Sequence, residues 1–281
     1  MKSSELRFRA HRAGDLMTNK QGTVTEKQKE EYQKLKERDK ASIESGGKPL
    51  TANMFNRMQE LREKINAPFE LSDTAKQFIF EMWAENEKGI YTTFTSKYTD
   101  KGLWTEEECL TLLTKLDERF YSKNKDRIEN DDFTGEVDIS VHQIDGKKVI
   151  QDIKSSWDLN TYWNAEIDKR KEYQARVYME LWDADECWIR HCLVDCPEHL
   201  WQGELYRWKL NNGIIDEEME EVKEFYEKFR AQLIFSDNPN ISEEERVRTF
   251  KIERDQKKYD ELVERVGHAR EYYDSITLKN L

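Results

Sequence analysis

The sequence predicts an α/β fold: a mixed central β-sheet flanked by helices, with helical extensions at the N- and C-terminal ends. Three observations carry this. Two runs of alternating apolar and polar residues, 134–142 and 148–155, flank an Asp145-Gly146 pair, a dipeptide that favours a tight hairpin turn. A third strand-like run, CWIRHCLVD at 187–195, follows a stretch with helical character at 163–184. Elsewhere, apolar residues recur at helical spacing. The order helix, strand, strand, strand, helix, strand, or its near equivalent, suits a mixed sheet.

The chain's 281 residues allow one large domain or two small ones. Apolar and charged residues each make up 37%, and 8 Trp, 12 Tyr and 12 Phe can fill a core with few residues. No run is long and apolar enough to suggest a membrane span. The first residues, MKSSELRFRAHRAG, lack an apolar signal core. A cytoplasmic location is therefore expected, with Cys109, Cys187, Cys192 and Cys196 reduced. The net charge of −12 alone argues against a nucleic-acid partner. Its distribution is uneven. Residues 1–70 carry 15 Lys/Arg and 11 Asp/Glu, and residues 216–281 carry 12 and 18. An acidic average is compatible with a basic groove, and a bound divalent metal adds positive charge locally. Charge neither supports nor excludes DNA.

In chain order, residues 1–20 are short and basic. Residues 24–45 read as a polar helix ending at the flexible SGGKP. Residues 51–66 place Phe55, Met58, Leu61 and Ile65 at helical spacing, and residues 72–88 do so with Ala75, Phe78, Met82 and Trp83. Thr105 followed by Glu108 is a capping-box pattern. It opens a helix with a stripe of Cys109, Leu113, Leu116 and Phe120, and Glu106 sits at the head of that stripe. Residues 216–234 and 243–275 look helical and highly charged. The expected organisation is a mainly helical part at 1–94, a core at 95–210 and a charged helical extension at 211–281.

The chemistry concentrates in the hairpin. Strand residues two apart share a face, so Asp152 and Lys154 project together. Asp138 lies on the neighbouring strand, on the face opposite Val137, Ile139 and Val141. Two carboxylates brought close repel unless a cation neutralises them, and hard divalent cations prefer oxygen ligands. A lysine beside them can orient water or steady charge on a phosphate. Such a set suits metal-assisted phosphodiester hydrolysis; the competing reading is a surface hairpin with solvated charges. Gln174 and Tyr178, four apart, share a helical face.

Gly135-x-x-Asp138, Asp152-x-Lys154 and Gln174-x-x-x-Tyr178, in that order, resemble the PD-(D/E)xK nuclease superfamily. More narrowly they resemble the branch of lambda exonuclease and the YqaJ-like viral recombinases. KGLWTE sharpens the resemblance, because Gly102 and Glu106 match the spacing of a Gly and a helical, metal-holding Glu in that branch. FRAHRAGDLMT is similar to the segment opening these viral proteins, which holds the 5′ phosphate of a DNA end. The resemblance covers roughly residues 7–20 and 95–200. It implies a restriction-endonuclease-like core in which Glu106, Asp138, Asp152 and the Ile153 carbonyl hold Mg²⁺ or Mn²⁺. It further implies that Lys154 positions the attacking water, that Gln174 supports the site, and that Arg9 and Arg12 grip DNA; Tyr178 has the weakest claim, since packing explains it equally. Two departures stand out. The second acid is Asp152 where many relatives have Glu, and His11 and Arg12 replace the usual serines of the opening segment.

The implied function is a metal-dependent DNA exonuclease, digesting double-stranded DNA from a free end, 5′ to 3′, in phage-type recombination or repair. The implied partners are a single-strand annealing protein and further copies of the chain, as a trimer, and the implied location is a bacterial host's cytoplasm. An endonuclease of the same fold and a non-catalytic DNA- or partner-binding protein are the alternatives. The four cysteines match the number that binds an iron–sulfur cluster in Cas4-like relatives. Cys187 and Cys192 face opposite sides of their strand, however, and Cys109 lies on an apolar stripe, so core packing is expected instead. His142 and His191 are read as structural. No P-loop, dinucleotide-binding loop or zinc motif is present.

Overall fold

The computed structural model describes residues 2–20, 22–93, 95–214 and 219–278. The chain divides into two compact units: Met1–Met17 with Phe78–Leu281, and Thr18–Gln77.

The larger unit opens with β1 (Phe8–Arg9), a 3-10 turn at Ala10–Arg12 and α1 (Ala13–Leu16). The smaller unit holds α2 (Glu26–Ser45), α3 (Ala52–Asn66) and the first residues of α4 (Asp73–Lys88), the helix in which the division falls. Thr25 and Gln28 form a reciprocal capping box at the start of α2, and Gly46, at φ 67°, ends the helix in the left-handed conformation that glycine tolerates. Leu35, Met58 and Leu61 are buried between α2 and α3, and Arg57 grips both oxygens of Glu31 at 3.0 Å.

The larger unit continues with α5 (Lys97–Trp104), α6 (Glu106–Leu116), β2 (Ile128–Glu129), β3 (Phe133–Gly135), β4 (Ile139–Ile144), β5 (Lys147–Ser155), α7 (Leu159–Trp163), α8 (Lys169–Leu181) and β6 (Glu186–Cys192). α9 (Glu198–Asn211), α10 (Glu220–Ala231), β7 (Val247–Glu253) and α11 (Gln256–Ser275) complete it. The principal sheet has the order β4-β5-β6-β7. β4 and β7 run antiparallel to their neighbours, while β5 and β6 are parallel. A parallel pair needs a crossover, and α7 and α8 supply it. A smaller sheet has the order β1-β3-β2. The α/β class with a mixed sheet is thus the one expected. Among the described residues no helix is long and apolar enough to cross a membrane.

Several expectations are corrected. The run 134–142 is not one strand: β3 joins the small sheet, and Asp138 lies in the connection to β4. The stretch 163–184 is not one helix either. Asp158 and Asp168 each accept from a backbone N–H three residues on, and so start α7 and α8 separately. The third strand stops at Cys192, and α9 forms where no helix was expected. The expected helix 243–275 contains β7 before α11, and β7 extends the principal sheet. Its VRTFKIE run is rich in β-branched and aromatic residues. Of the expected helix 216–234, α10 covers Glu220–Ala231, and residues 216–218 lie outside the described residues. The stripe after Glu106 ends early: α6 stops at Leu116 and Phe120 is exposed.

Candidate active site

β5 is the central element of the site. Its middle, Val149 to Asp152, is buried, with β4 and β6 paired along its edges and α5, α6 and α8 packed against it. Asp152 is therefore a carboxylate inside the sheet region, with a side chain 5% exposed. Lys154 follows on the same face, its Nζ 2.7 Å from Asp152 Oδ2. Burial pulls the Lys154 pKa down, but Asp152 and Asp138 outweigh it and raise the value above that of an ordinary lysine. Lys154 is thus an ammonium, able to donate to water or phosphate oxygen and unable to accept a proton.

Asp138 reaches the same place from the β3–β4 connection. Its Oδ2 accepts from the Ile153 backbone N–H at 2.5 Å. The Ile153 side chain packs on the cluster containing Cys109, Leu113 and Ile139, which orients its backbone. Burial, followed by the nearby Asp152, drives the Asp138 pKa well above the usual carboxylate range, against the opposing pull of Lys154. Gln174, buried on α8, donates from Nε2 to Asp152 Oδ1 at 3.2 Å, with the Tyr178 hydroxyl 3.1 Å from the same nitrogen. Tyr178 also explains Gly135: a Cβ there would lie 2.7 Å from Tyr178 Cε1 and 2.8 Å from Ala10 Cβ. Gly102 meets no such neighbour.

Glu106 begins α6, where the helix N-terminus favours a carboxylate. Its Oε2 accepts from Lys123 Nζ, and its Oε1 is buried with no hydrogen-bond partner. Asp152 Oδ2 likewise makes an ion pair but no hydrogen bond. Among the described residues, no three Asp, Glu, His or Cys side chains converge into a metal-holding group. Lys123 and Lys154 instead offset the negative charge. The donor set nonetheless fits a hard divalent cation: carboxylates crowded out of water, one with its pKa raised by burial and then by the neighbouring Asp152, and two oxygens without hydrogen bonds.

The early arginines are engaged. Arg9 pairs with Glu85, and Arg12 pairs with Asp15 and with Glu81 at 3.0 Å. Arg12 also lies over the Phe78 ring at 4.5 Å. Both are thereby tied into their own neighbourhood. His11 between them is reached by solvent, yet crowding by protein, then the charges of Arg9, Arg12 and Lys154, lower its pKa to about 4.

Sequence reasoning missed Lys123 and Asn124. Asn124 is buried, donates from Nδ2 to the carbonyls of Asp126 and Val137, and accepts the Asp126 N–H. Its own N–H donates to Asp138 O at 2.8 Å. It thus fixes the loop that carries Asp138, while Lys123 beside it holds Glu106. The polar run YSKNKDR offers no periodicity that would single them out. The capping box expected at Thr105 is absent: its hydroxyl makes no cap bond to α6. The cysteines are all free and buried. Cys109 and Cys192 share one apolar cluster, and Cys196 packs in another with Trp157, Trp201 and Leu233.

No family model matches the chain, and no curated relative does. Among solved structures, the chain is similar to a phage-related exonuclease from Haemophilus somnus 129PT, at 23% identity, covering 96% of this chain and 94% of that one with a TM-score of 0.61. It is also similar to an alkaline exonuclease from Laribacter hongkongensis, at 9% identity, covering 97% and 90% with a TM-score of 0.50. Both likenesses run through nearly the whole of each chain. The chain therefore has the fold of these exonucleases, the fold its motifs led one to expect.

Proposed function

We propose that this chain is a divalent-metal-dependent deoxyribonuclease that hydrolyses phosphodiester bonds at a free end of double-stranded DNA, 5′ to 3′. The observation that carries this reading is the convergence of Asp152, Lys154, Asp138 and Gln174 through the contacts at β5 in a fold shared with two proteins named as exonucleases. Asp152, Asp138, Glu106 and the Ile153 carbonyl would hold the metal. When bound, Mg²⁺ or Mn²⁺ supplies charge neutralisation and a water of lowered pKa. Gln174 fixes the Asp152 carboxylate through Oδ1, while Oδ2 lies against the Lys154 ammonium, a charge that a bound cation would share. Lys154, held protonated, donates a hydrogen bond to the attacking water or to a phosphate oxygen. The names of both structural neighbours favour action at ends over internal cleavage.

The test is digestion of linear 5′-phosphorylated duplex beside covalently closed duplex, with Mg²⁺, with Mn²⁺, with EDTA, and with Lys154→Ala. Loss of the linear substrate alone, dependent on metal and on Lys154, supports the exonuclease. End-specific labels report the polarity. Cleavage of closed DNA replaces this reading with an endonuclease, and inertness toward both substrates replaces it with a binding role.

A further inference from the structure

Two connections beneath the candidate site have no part in the chemistry described so far. Lys101, on α5, is fully buried, and its Nζ donates to three backbone carbonyls: Ser156 at 2.7 Å, Trp157 at 3.2 Å and Val194 at 2.6 Å. These carbonyls lie just past the ends of β5 and β6. Thr105, also buried, has Oγ1 2.8 Å from both Lys101 O and Ser155 Oγ. Its single hydroxyl proton serves one of these contacts, and the Ser155 hydroxyl can supply the proton of the other.

We propose that Lys101, Thr105 and Ser155 act as positioning residues, a clamp that sets the distance between Glu106 on α6 and the Asp152–Lys154 pair on β5. The proposal rests on the metal-dependent reading above. The clamp's attachment points are one residue from the groups it would align: Thr105 precedes Glu106, and Ser155 follows Lys154. The Thr105 contact with Lys101 O is the ordinary i−4 bond of a threonine on a helical turn, but its contact with Ser155 and the Lys101 bonds to the strand ends join segments far apart in sequence. Thr105 sits at the helix N-cap without capping the helix, and so forgoes the stabilisation a capping threonine gives. Burying an ammonium costs several kcal/mol in general, and burial lowers the Lys101 pKa to about 8. An apolar side chain would fill the same space without that cost, whereas three directed bonds hold the carbonyl ends of two adjacent strands at a fixed distance from α5. The short α5–α6 junction then transmits that placement to Glu106.

The test compares wild type, Thr105→Val, Thr105→Ser and Lys101→Met. Mn²⁺ affinity is measured by calorimetry, and the Mn²⁺ dependence and KM of cleavage are measured on linear duplex. Thr105→Val keeps the shape and loses the hydroxyl. It is expected to weaken Mn²⁺ binding roughly tenfold, the lower end of what partners behind metal ligands contribute, with KM for DNA unchanged. Thr105→Ser restores wild-type binding, and Lys101→Met shifts it in the same direction as Thr105→Val. If Lys101→Met does not fold, the Thr105 pair decides. Wild-type Mn²⁺ affinity in a Thr105→Val protein with only a lowered melting temperature overturns the clamp and leaves the nuclease reading intact. A wild-type protein that neither binds Mn²⁺ nor cuts DNA overturns both.

Discussion

In the helical unit, Thr25 accepts from Gln28 N at 3.2 Å while Gln28 Oε1 accepts from Thr25 N at 3.0 Å. In the sheet-containing unit, Thr105 has the matching acid three residues on, yet its hydroxyl turns to Ser155 and Lys101. Both begin helices. The difference is environment. Thr25 is exposed, so the nearest unsatisfied backbone donor is its best partner. Thr105 is buried beside a strand end, where another polar side chain competes for the same hydroxyl. Local rules therefore hold in the solvated α2–α3 region and are overridden where elements meet around the candidate site.

This contrast can be broken, and the largest effect is expected at the site. Asp152→Asn keeps the volume and the Gln174 contact but removes a charge. Cleavage should fall by roughly 10²–10³-fold, the scale for losing a single charge-stabilising group, with the circular dichroism spectrum unchanged. Retained cleavage would remove Asp152 from the chemistry.

The next effect is on stability against pH. Burial, then Lys171, Lys154 and Arg248, lower the His191 pKa from 6.5 to about 4. Between those values the unfolded chain binds more protons than the folded one, so stability is lost as pH falls from 6.5 toward 4. The loss should be on the order of 3 kcal/mol, read as the shift in urea midpoint, and His191→Phe should flatten that slope. A parallel slope in the variant would assign the acid sensitivity to other groups.

Gly135→Ala should cost about 1–3 kcal/mol, the usual range for overpacking, because the new methyl meets Tyr178 and Ala10. Equilibrium denaturation reads this directly, and Tyr178→Leu should relieve part of it. The smallest effect is expected at the solvated cap. Thr25→Ala should cost about 1 kcal/mol and leave DNA cleavage unchanged, in contrast to Thr105→Val. Equal effects of the two threonines on cleavage would erase the distinction between the regions.

Much of the site was legible because its residues lie on regular elements. Asp152 and Lys154 share a face through strand alternation, and Gln174 and Tyr178 share one through helical spacing. Asp138 was legible as a residue but not in its setting. The run around it alternates like a strand, yet the chain leaves one sheet at Gly135 and enters another at Ile139. Lys123, Asn124 and Lys101 were not legible, because a lysine or asparagine in a polar run has the same sequence signature whether it is solvated or holds another loop.

By itself the sequence determined the α/β class, the helices over 24–45 and 51–66 with the break between them, and the identity of the carboxylates, the lysine and the glutamine. Periodicity and capping are local, acting within a few residues, so one chain segment carries them complete. Only the tertiary structure decided that β7 joins the principal sheet, that Arg9 and Arg12 are tied to carboxylates, and that Thr105 abandons its cap. Each of those outcomes depends on a partner distant in sequence, and on a buried polar group binding whichever partner the packed neighbours present.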